Sequence, residues 1–479
     1  MSDSGNYNLF INGTWRSGGN GTDLALINPA TGQKFGHVAV ASASDLDDAL
    51  KSAEDSLLRW SNTPAHERGA LLVRAAQILK GKIEPAASAL SREQGKTVAE
   101  AKGEYARAVE TLEWNGIHAQ ELSARFSIDQ KRMIVPEAIG VVAAFTPWNY
   151  PAVLNARKLA APIAAGCPVI LKAAEETASA GVYIMEALEE AGIPAGVVGL
   201  VFGHPPTISE HLLGSPVVRV LSFTGSTPVG KQLAKIAATN LQRCVLELGG
   251  HCPVVVFEDT DVPKAVSAIS EYKFECAGQS CNAPSRILVA QSIYEDFLAK
   301  LVHASERIRV GLPDDPETDM GPMANARRIE AMERLTKDAI NRGARVETGG
   351  KRLDRPGFYW APTILSNVHP ESQVLHEEPF GPVLTVEPFG TVEDAIEVAN
   401  STEYGLASYI FSDSPDIQKR MVRSLSTGTV SVNYLKGVSA DAPLGGIKQS
   451  GYGYEGGVEG VRSFQNLKLV NSANVLAID

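Results

Sequence analysis

Cysteine is scarce in this chain of 479 residues, with five in all: Cys167, Cys244, Cys252, Cys276 and Cys281. Their number is odd and no CxxC pair occurs, which argues against a disulfide framework or a structural zinc site and fits a reducing compartment. Basic charge is also short. Lys and Arg total 44 against 55 Asp and Glu, a net charge of -11. No basic stripe appears, and nucleic-acid binding needs clustered cations to neutralise phosphates, so it is not expected. Long apolar runs are missing. The longest, 159–171, falls below the ~20 residues that span a bilayer. The opening MSDSGNYNLF lacks the basic and apolar regions of a signal peptide. Cytoplasm is the expected location, without membrane attachment. There is no HExxH and no Cys/His cluster. His204, His211 and His251 read as surface or loop residues, and no metal site is expected.

Hydrophobic residues make up 44% of the chain, enough for large cores, and the length predicts two or three domains. Residues 7–40 alternate short β-type runs with turn signals such as Asn12-Gly13 and Asn28-Pro29. Residues 44–118 read as helices, the first capped by Ser44. From 138 the rhythm changes. Apolar β-type runs at 139–145, 168–172, 197–202, 217–223 and 243–248 are separated by helical segments. That alternation predicts a parallel, doubly wound α/β sheet with its ligand outside the carboxyl ends of the strands. The rhythm resumes at 253–257 and 286–290, which predicts a second α/β domain.

Two glycine motifs are near misses. GSTPVGKQ (225–232) nearly matches a P-loop, but Gln232 replaces the hydroxyl that would hold magnesium. GYGYEG (451–456) matches GxGxxG literally. It follows no clear strand and reads as a flexible turn without a cofactor role.

Four segments together say more. They are FTPWNYP (145–151), SFTGST (222–227), ELGGHCP (247–253) and FECAGQSCNAPSR (274–286). With INPATGQ (27–33), LKAAEET (171–177), EEPFGPV (377–383) and PLGGIKQSGYG (443–453), they resemble the aldehyde dehydrogenase superfamily over nearly the whole chain. The resemblance implies a Rossmann-like cofactor domain (1–118 and 137–248), an α/β catalytic domain (249–460) and a small β oligomerisation arm (119–136 and 461–479). It implies a homodimer or homotetramer.

It also implies an activity, the NAD-dependent oxidation of an aldehyde to a carboxylic acid. Cys281 stands where the family has its nucleophile, and sulfur suits that task because a thiolate is intrinsically nucleophilic. Cys167, Cys244 and Cys252 fit ordinary packing; Cys276 fits either packing or a redox partner. Asn149 matches the oxyanion donor, with the backbone N–H of Cys281. Glu247 matches the general base that activates water, a residue that coenzyme A-acylating relatives lack. Lys158 matches a proton-relay lysine and equally fits a salt bridge. On the cofactor side, Lys172 and Glu175 match ribose contacts, and a carboxylate there favours NAD over NADP. Gly225 and Ser226 match the pyrophosphate turn at a helix N-terminus. Trp148 packs beside it, and Glu378 and Phe380 match the nicotinamide-ribose clamp.

The resemblance is strongest to bacterial semialdehyde dehydrogenases, such as those for succinate or α-ketoglutarate semialdehyde. These grip the substrate carboxylate with two arginines. Arg157 matches the first, but Glu275 occupies the place of the second. If Glu275 pairs with Arg157, the tunnel suits a neutral or aromatic aldehyde instead. Tyr150, Leu154, Ser280, Asn282 and the 436–441 loop are expected to line it. The rivals are an esterase or acyl-transferring relative, and a noncatalytic structural protein on the same scaffold.

Overall fold

The computed structural model describes residues 5–475. The expected tail 461–479 therefore runs beyond the described residues at 476–479, and the opening 1–4 lies outside them. Among the described residues two large sheets carry the chain, with two three-stranded sheets beside them.

The first large sheet has eight strands. Its parallel centre is Arg243–Glu247, Val218–Thr224, Val141–Phe145, Val169–Lys172 and Val198–Val201, in that spatial order. Most of these residues are buried because helices cover both faces, which is why the strands read as continuous apolar runs. The chain starts at Val141–Phe145, builds outward one way, then returns to add Val218–Thr224 on the other side. The order reverses between those two strands. The loops that leave their carboxyl ends begin at Thr146 and Gly225 and flank the crevice. The second sheet has seven strands, six of them parallel, with Cys252–Val256 and Pro284–Ala290 near its middle.

Of the helices between 43 and 122, Ala43–Asn62 packs against the first sheet, and the others pack on it through neighbouring helices. The first, Ala43–Asn62, is capped by Ser42 in a capping box with Asp45, two residues before the expected Ser44. The helix Pro151–Ala165 is almost wholly buried, as its small residues allow. It opens on a proline and closes on Gly166 in the left-handed region, the usual start and stop signals.

Two glycines bring the sheets together at one point. The link from Glu247 to Cys252 runs through Gly249 and Gly250. A Cβ on Gly250 would lie 2.2 Å from the Cys281 carbonyl oxygen, and one on Gly249 2.6 Å from Glu378 Oε2. Only bare backbone fits between those loops. The carboxyl ends of the first sheet thus meet the amino ends of the second.

Some sequence expectations need correction. His251 is not a surface residue. It is 2% exposed, with its ring nitrogens against Ser285 Oγ at 2.7 Å and the Val374 carbonyl at 3.1 Å. The GYGYEG segment is not a free turn. Gly451–Tyr452 is an edge strand antiparallel to Arg243–Glu247, so the chain rejoins the first sheet before residue 460. The strands Phe126–Asp129, Arg132–Ala138 and Gln465–Asn471 form a separate antiparallel sheet, within and next to the segments expected to form the arm. All five cysteines are free thiols, and among the described residues no helix is long and apolar enough to cross a membrane.

Gly451 sits at φ +107°, and a Cβ there would lie 2.0 Å from the Leu246 carbonyl oxygen. Gly451→Ala should therefore lower stability by about 1–3 kcal/mol through strain at that edge. Calorimetry should find a lower unfolding midpoint; an unchanged midpoint would contradict this tight edge.

Candidate active site

Cys281 lies just before the strand Pro284–Ala290, and Glu247 ends the last parallel strand of the first sheet. The Cys281 thiol donates to Glu247 Oε1 at 3.4 Å. Burial, then the Glu247 and Glu378 carboxyls, hold the thiol well above its ordinary pKa. Burial and the nearby Glu455 carboxyl push Glu247 up to about 7, against the opposing pull of Lys158. A neutral thiol thus sits beside an acid-base group poised near neutrality, as proton abstraction requires.

The loop before Cys281 is wound tightly. Cys276, Ala277 and Gly278 all have positive φ, 52°, 51° and 70°. Asn149 meets this loop. Its side-chain Nδ2 donates to the Gln279 carbonyl at 3.0 Å, which leaves the second N–H of the amide free, while its Oδ1 is buried without a partner. The Asn149 backbone carbonyl accepts from Lys96 Nζ at 2.7 Å. Lys96 is itself paired with Glu104 in a fully enclosed ion pair, and Glu104 Oε1 accepts the Ala152 N–H at 2.6 Å. One buried pair therefore pins both sides of the turn that carries Asn149. Cys276 is buried in the same cluster, where Gln94 donates to its sulfur at 3.1 Å and burial raises its thiol to about 12. That is a packing role, not that of an exposed redox thiol.

Lys158 is fully buried. It donates to Glu455 and, at 3.1 Å, to Ser222 Oγ. Thr224 Oγ1 adds a bond to the same Glu455 oxygen at 3.1 Å, and the other Glu455 oxygen has no partner.

Two cavities converge on this point. One side is the crevice at the switch of the first sheet, about 810 Å³, walled by Trp148, Lys172, Glu175, Gly225 and Ser226. Lys172 Nζ pairs with Glu175 Oε1 at 2.6 Å, and the Gly203 N–H donates to the same oxygen at 3.0 Å. The helix Thr227–Ala238 starts at this wall, and no side chain caps its first N–H groups. The crevice continues past Glu378 and Phe380 to Cys281. Glu378 Oε1 is buried without a partner, and burial raises that carboxyl to about 8. The Trp148 and Phe380 rings meet edge to face at 5.6 Å. An open helix N-terminus, a carboxylate pair and an orphaned acceptor fit a long ligand with phosphates and ribose hydroxyls.

The other side is a tunnel of about 270 Å³ that also ends at Asn149 and Cys281. Tyr150, Leu154, Arg157, Glu275, Ser280 and Asn282 all line it, with Lys436 and Ser439 from the 436–441 loop. Arg157 does not pair with Glu275. Its Nη2 donates to the Ser439 carbonyl at 2.8 Å, and its Nη1 is buried without a partner. Glu275 lies on another wall, where it accepts from Tyr150 Oη at 3.2 Å.

The profile of the Aldehyde dehydrogenase family matches residues 15–470. The chain belongs to the aldehyde dehydrogenase family. It is 42% identical to the 4-(hydroxymethyl)benzenesulfonate dehydrogenase of Comamonas testosteroni, covering 97% of each chain, and 37% identical to the 3-sulfolactaldehyde dehydrogenase of Pseudomonas putida, covering 96% of each. The crystal structure of succinate-semialdehyde dehydrogenase from Burkholderia pseudomallei superposes with a TM-score of 0.94 at 36% identity, covering 98% of each chain. As an aldehyde dehydrogenase, the chain is an oxidoreductase of a class that uses NAD or NADP.

Sequence reading missed several residues of this aldehyde dehydrogenase's site. Glu455 was passed over inside GYGYEG, although a lone acid among three glycines was a usable signal. Lys96 lies in the short link before the helix Val98–Leu122, and Glu104 and Arg107 lie on that helix, whose charges look like a solvated face. Only the packing of the helix Val98–Leu122 on Pro151–Ala165 brings them inward.

The Glu247 carboxyl should titrate near pH 7. Glu455→Gln removes a negative neighbour that raises it, so the titration should move to lower pH. The rate of Cys281 alkylation by iodoacetamide should rise through that titration, since the ionised carboxylate is the proton acceptor. An acid limb that stays in place in the variant would break the link between the two carboxyls.

Proposed function

We propose that this chain oxidises an aldehyde to a carboxylic acid through a thioester on Cys281, with NAD as cofactor. The observation that carries the reading is the 3.4 Å contact between Cys281 Sγ and Glu247, at the wall shared by the two cavities. Glu247 takes the thiol proton as sulfur bonds the carbonyl carbon. The oxygen becomes an oxyanion, met by the free Asn149 amide N–H and the Cys281 backbone N–H. When bound, the nicotinamide supplies the acceptor for the hydride that this carbon must lose. Glu247 gives up the thiol proton before the second half of the reaction, then takes a proton from water as the water adds to the thioester, and returns that second proton to the Cys281 thiolate that departs. Lys158 and Glu455 serve as the path by which the first proton leaves. Trp148, Lys172, Glu175, Gly225, Ser226, Glu378 and Phe380 would hold the cofactor. Residues 1–118 and 137–248 would form the cofactor domain, which also supplies Asn149, Lys158 and Glu247, and 249–460 the catalytic domain, which carries Cys281.

We assign the substrate class to aldehydes with an anionic group at the far end, such as the semialdehydes of short dicarboxylic acids. The buried Arg157 Nη1, which has no hydrogen-bond partner, supports this, because a buried donor left unsatisfied is costly unless a ligand completes it. An aromatic aldehyde is the second reading, favoured by Tyr150, Leu154 and Tyr272 on the walls and by the benzenesulfonate relative. The exposed Phe126, Leu467 and Leu469 of the small sheet support its role as a homo-oligomer arm.

NADH formation at 340 nm with an aldehyde panel, with and without coenzyme A, tests the activity. Cys281→Ala should abolish it and retain NAD binding; turnover in that variant would end the covalent reading. NAD should be preferred to NADP, and Glu175→Ala should narrow the gap, because the carboxylate accepts from a ribose hydroxyl and repels a phosphate in its place. Equal use of both cofactors by the native enzyme would refute that role for Glu175.

A further inference from the structure

We propose that Arg107 is a second anion contact of the substrate tunnel, set in place by Glu275 and Tyr150, and that with Arg157 it selects aldehydes carrying a distal oxyanion. The proposal deepens the substrate reading above and rests on Cys281 as the nucleophile.

Arg107 is carried by the helix Val98–Leu122 and lines the same tunnel as Arg157 and Cys281. Its guanidinium lies over the Tyr150 ring, 5.7 Å from the centroid, and 3.9 Å from Glu275 Oε1. Lys436 Nζ lies 3.9 Å from the other Glu275 oxygen. Those distances are too long for hydrogen bonds. Glu275 therefore attracts Arg107 without occupying its donors, while the Tyr150 hydroxyl donates to it at 3.2 Å and Lys436 is held by Glu271 at 2.7 Å. The ring and the carboxylate restrict the guanidinium plane, so less side-chain entropy remains to be lost when an anion arrives.

The charges on the walls point the same way. Lys436 is committed to Glu271 at 2.7 Å, so the guanidinium groups of Arg107 and Arg157 are the tunnel cations left to meet an anion. Arg157 is buried with an orphaned Nη1, whereas Arg107 is 41% exposed by its side chain. The pair thus offers an inner and an outer contact. The tunnel, about 270 Å³, takes a small molecule. That size suits an aldehyde at Cys281 with a charged group at the other end. Carboxylate and sulfonate share the chemistry that two guanidinium or ammonium groups recognise.

The test uses matched pairs that differ in charge: succinate semialdehyde against butyraldehyde, and 4-formylbenzoate and 4-formylbenzenesulfonate against benzaldehyde. The readout is the ratio of kcat/KM, charged over neutral, in the native enzyme and in Arg107→Gln and Arg107→Lys. The native ratio should favour the charged member of at least one pair. Arg107→Gln should reduce that ratio by about tenfold to a hundredfold, the worth of one charge-assisted hydrogen bond, mainly through KM. Arg107→Lys should retain more of it than Arg107→Gln. The pair with the largest native ratio identifies the oxyanion as carboxylate or sulfonate. A native ratio near one, or a ratio that Arg107→Gln does not move, overturns the proposal. Either result leaves oxidation through Cys281 intact, whereas failure of the nucleophile reading would appear as turnover by Cys281→Ala. The two failures are therefore distinct.

Discussion

A thiol and a carboxyl group 3.4 Å apart in a dry place form an unfavourable pair. Neither neutralises the other, and burial opposes the charged form of both. Moving the Glu247 carboxyl to about 7 represents roughly 3 kcal/mol of differential interaction that folding must offset. The surrounding structure serves to hold that pair. Gly249 and Gly250 let the loops of two sheets close on each other, the strained turn at 276–278 leads into Cys281, and the buried Lys96–Glu104 pair fixes the turn with Asn149. Backbone strain of this kind persists only where the surroundings over-determine it.

The same constraint explains how the charges are distributed. Lys158 is near enough to lower Glu247, yet its ammonium is committed to Glu455 and Ser222. A direct contact between Lys158 and Glu247 would make a firm salt bridge and a poor base. Interposing Glu455 divides the cation's influence and adds a second negative charge, which leaves Glu247 near neutrality.

Much of the fold was legible because parallel strands covered on both faces must be continuously apolar, and the runs from 139 onward are. The site segments were legible for a related reason. Phe-Thr-Pro-Trp-Asn, Glu-Leu-Gly-Gly and the Cys281 segment each combine turn chemistry with a reactive group at a strand end. What sequence could not supply was partnership across long separations. Glu455 meets Lys158 only because the chain returns as an edge strand, and GYGYEG has too little β character to announce one. His251 looked like a loop residue, and its burial depends on Ser285 and the distant Val374 carbonyl. Whether Arg157 pairs with Glu275 was a question of which wall each occupies, and spacing along a helix says nothing about that.

The tunnel and the crevice share Asn149, Leu154 and Cys281, so a change on one side reaches the other through these few groups. Electrostatics separates the two sides. The crevice gathers carboxylates, with Glu175 held by Lys172 and Glu378 buried beside Cys281, and both suit hydroxyl-bearing sugars. The tunnel instead presents two guanidinium groups, Arg157 and Arg107. A negative group at the outer end of a substrate is drawn toward Arg157 and Arg107, away from the Cys281 end. It would enter with its uncharged end leading. That orientation presents the carbonyl to Cys281, so the charge pattern contributes to alignment before any contact at the reacting atoms is made.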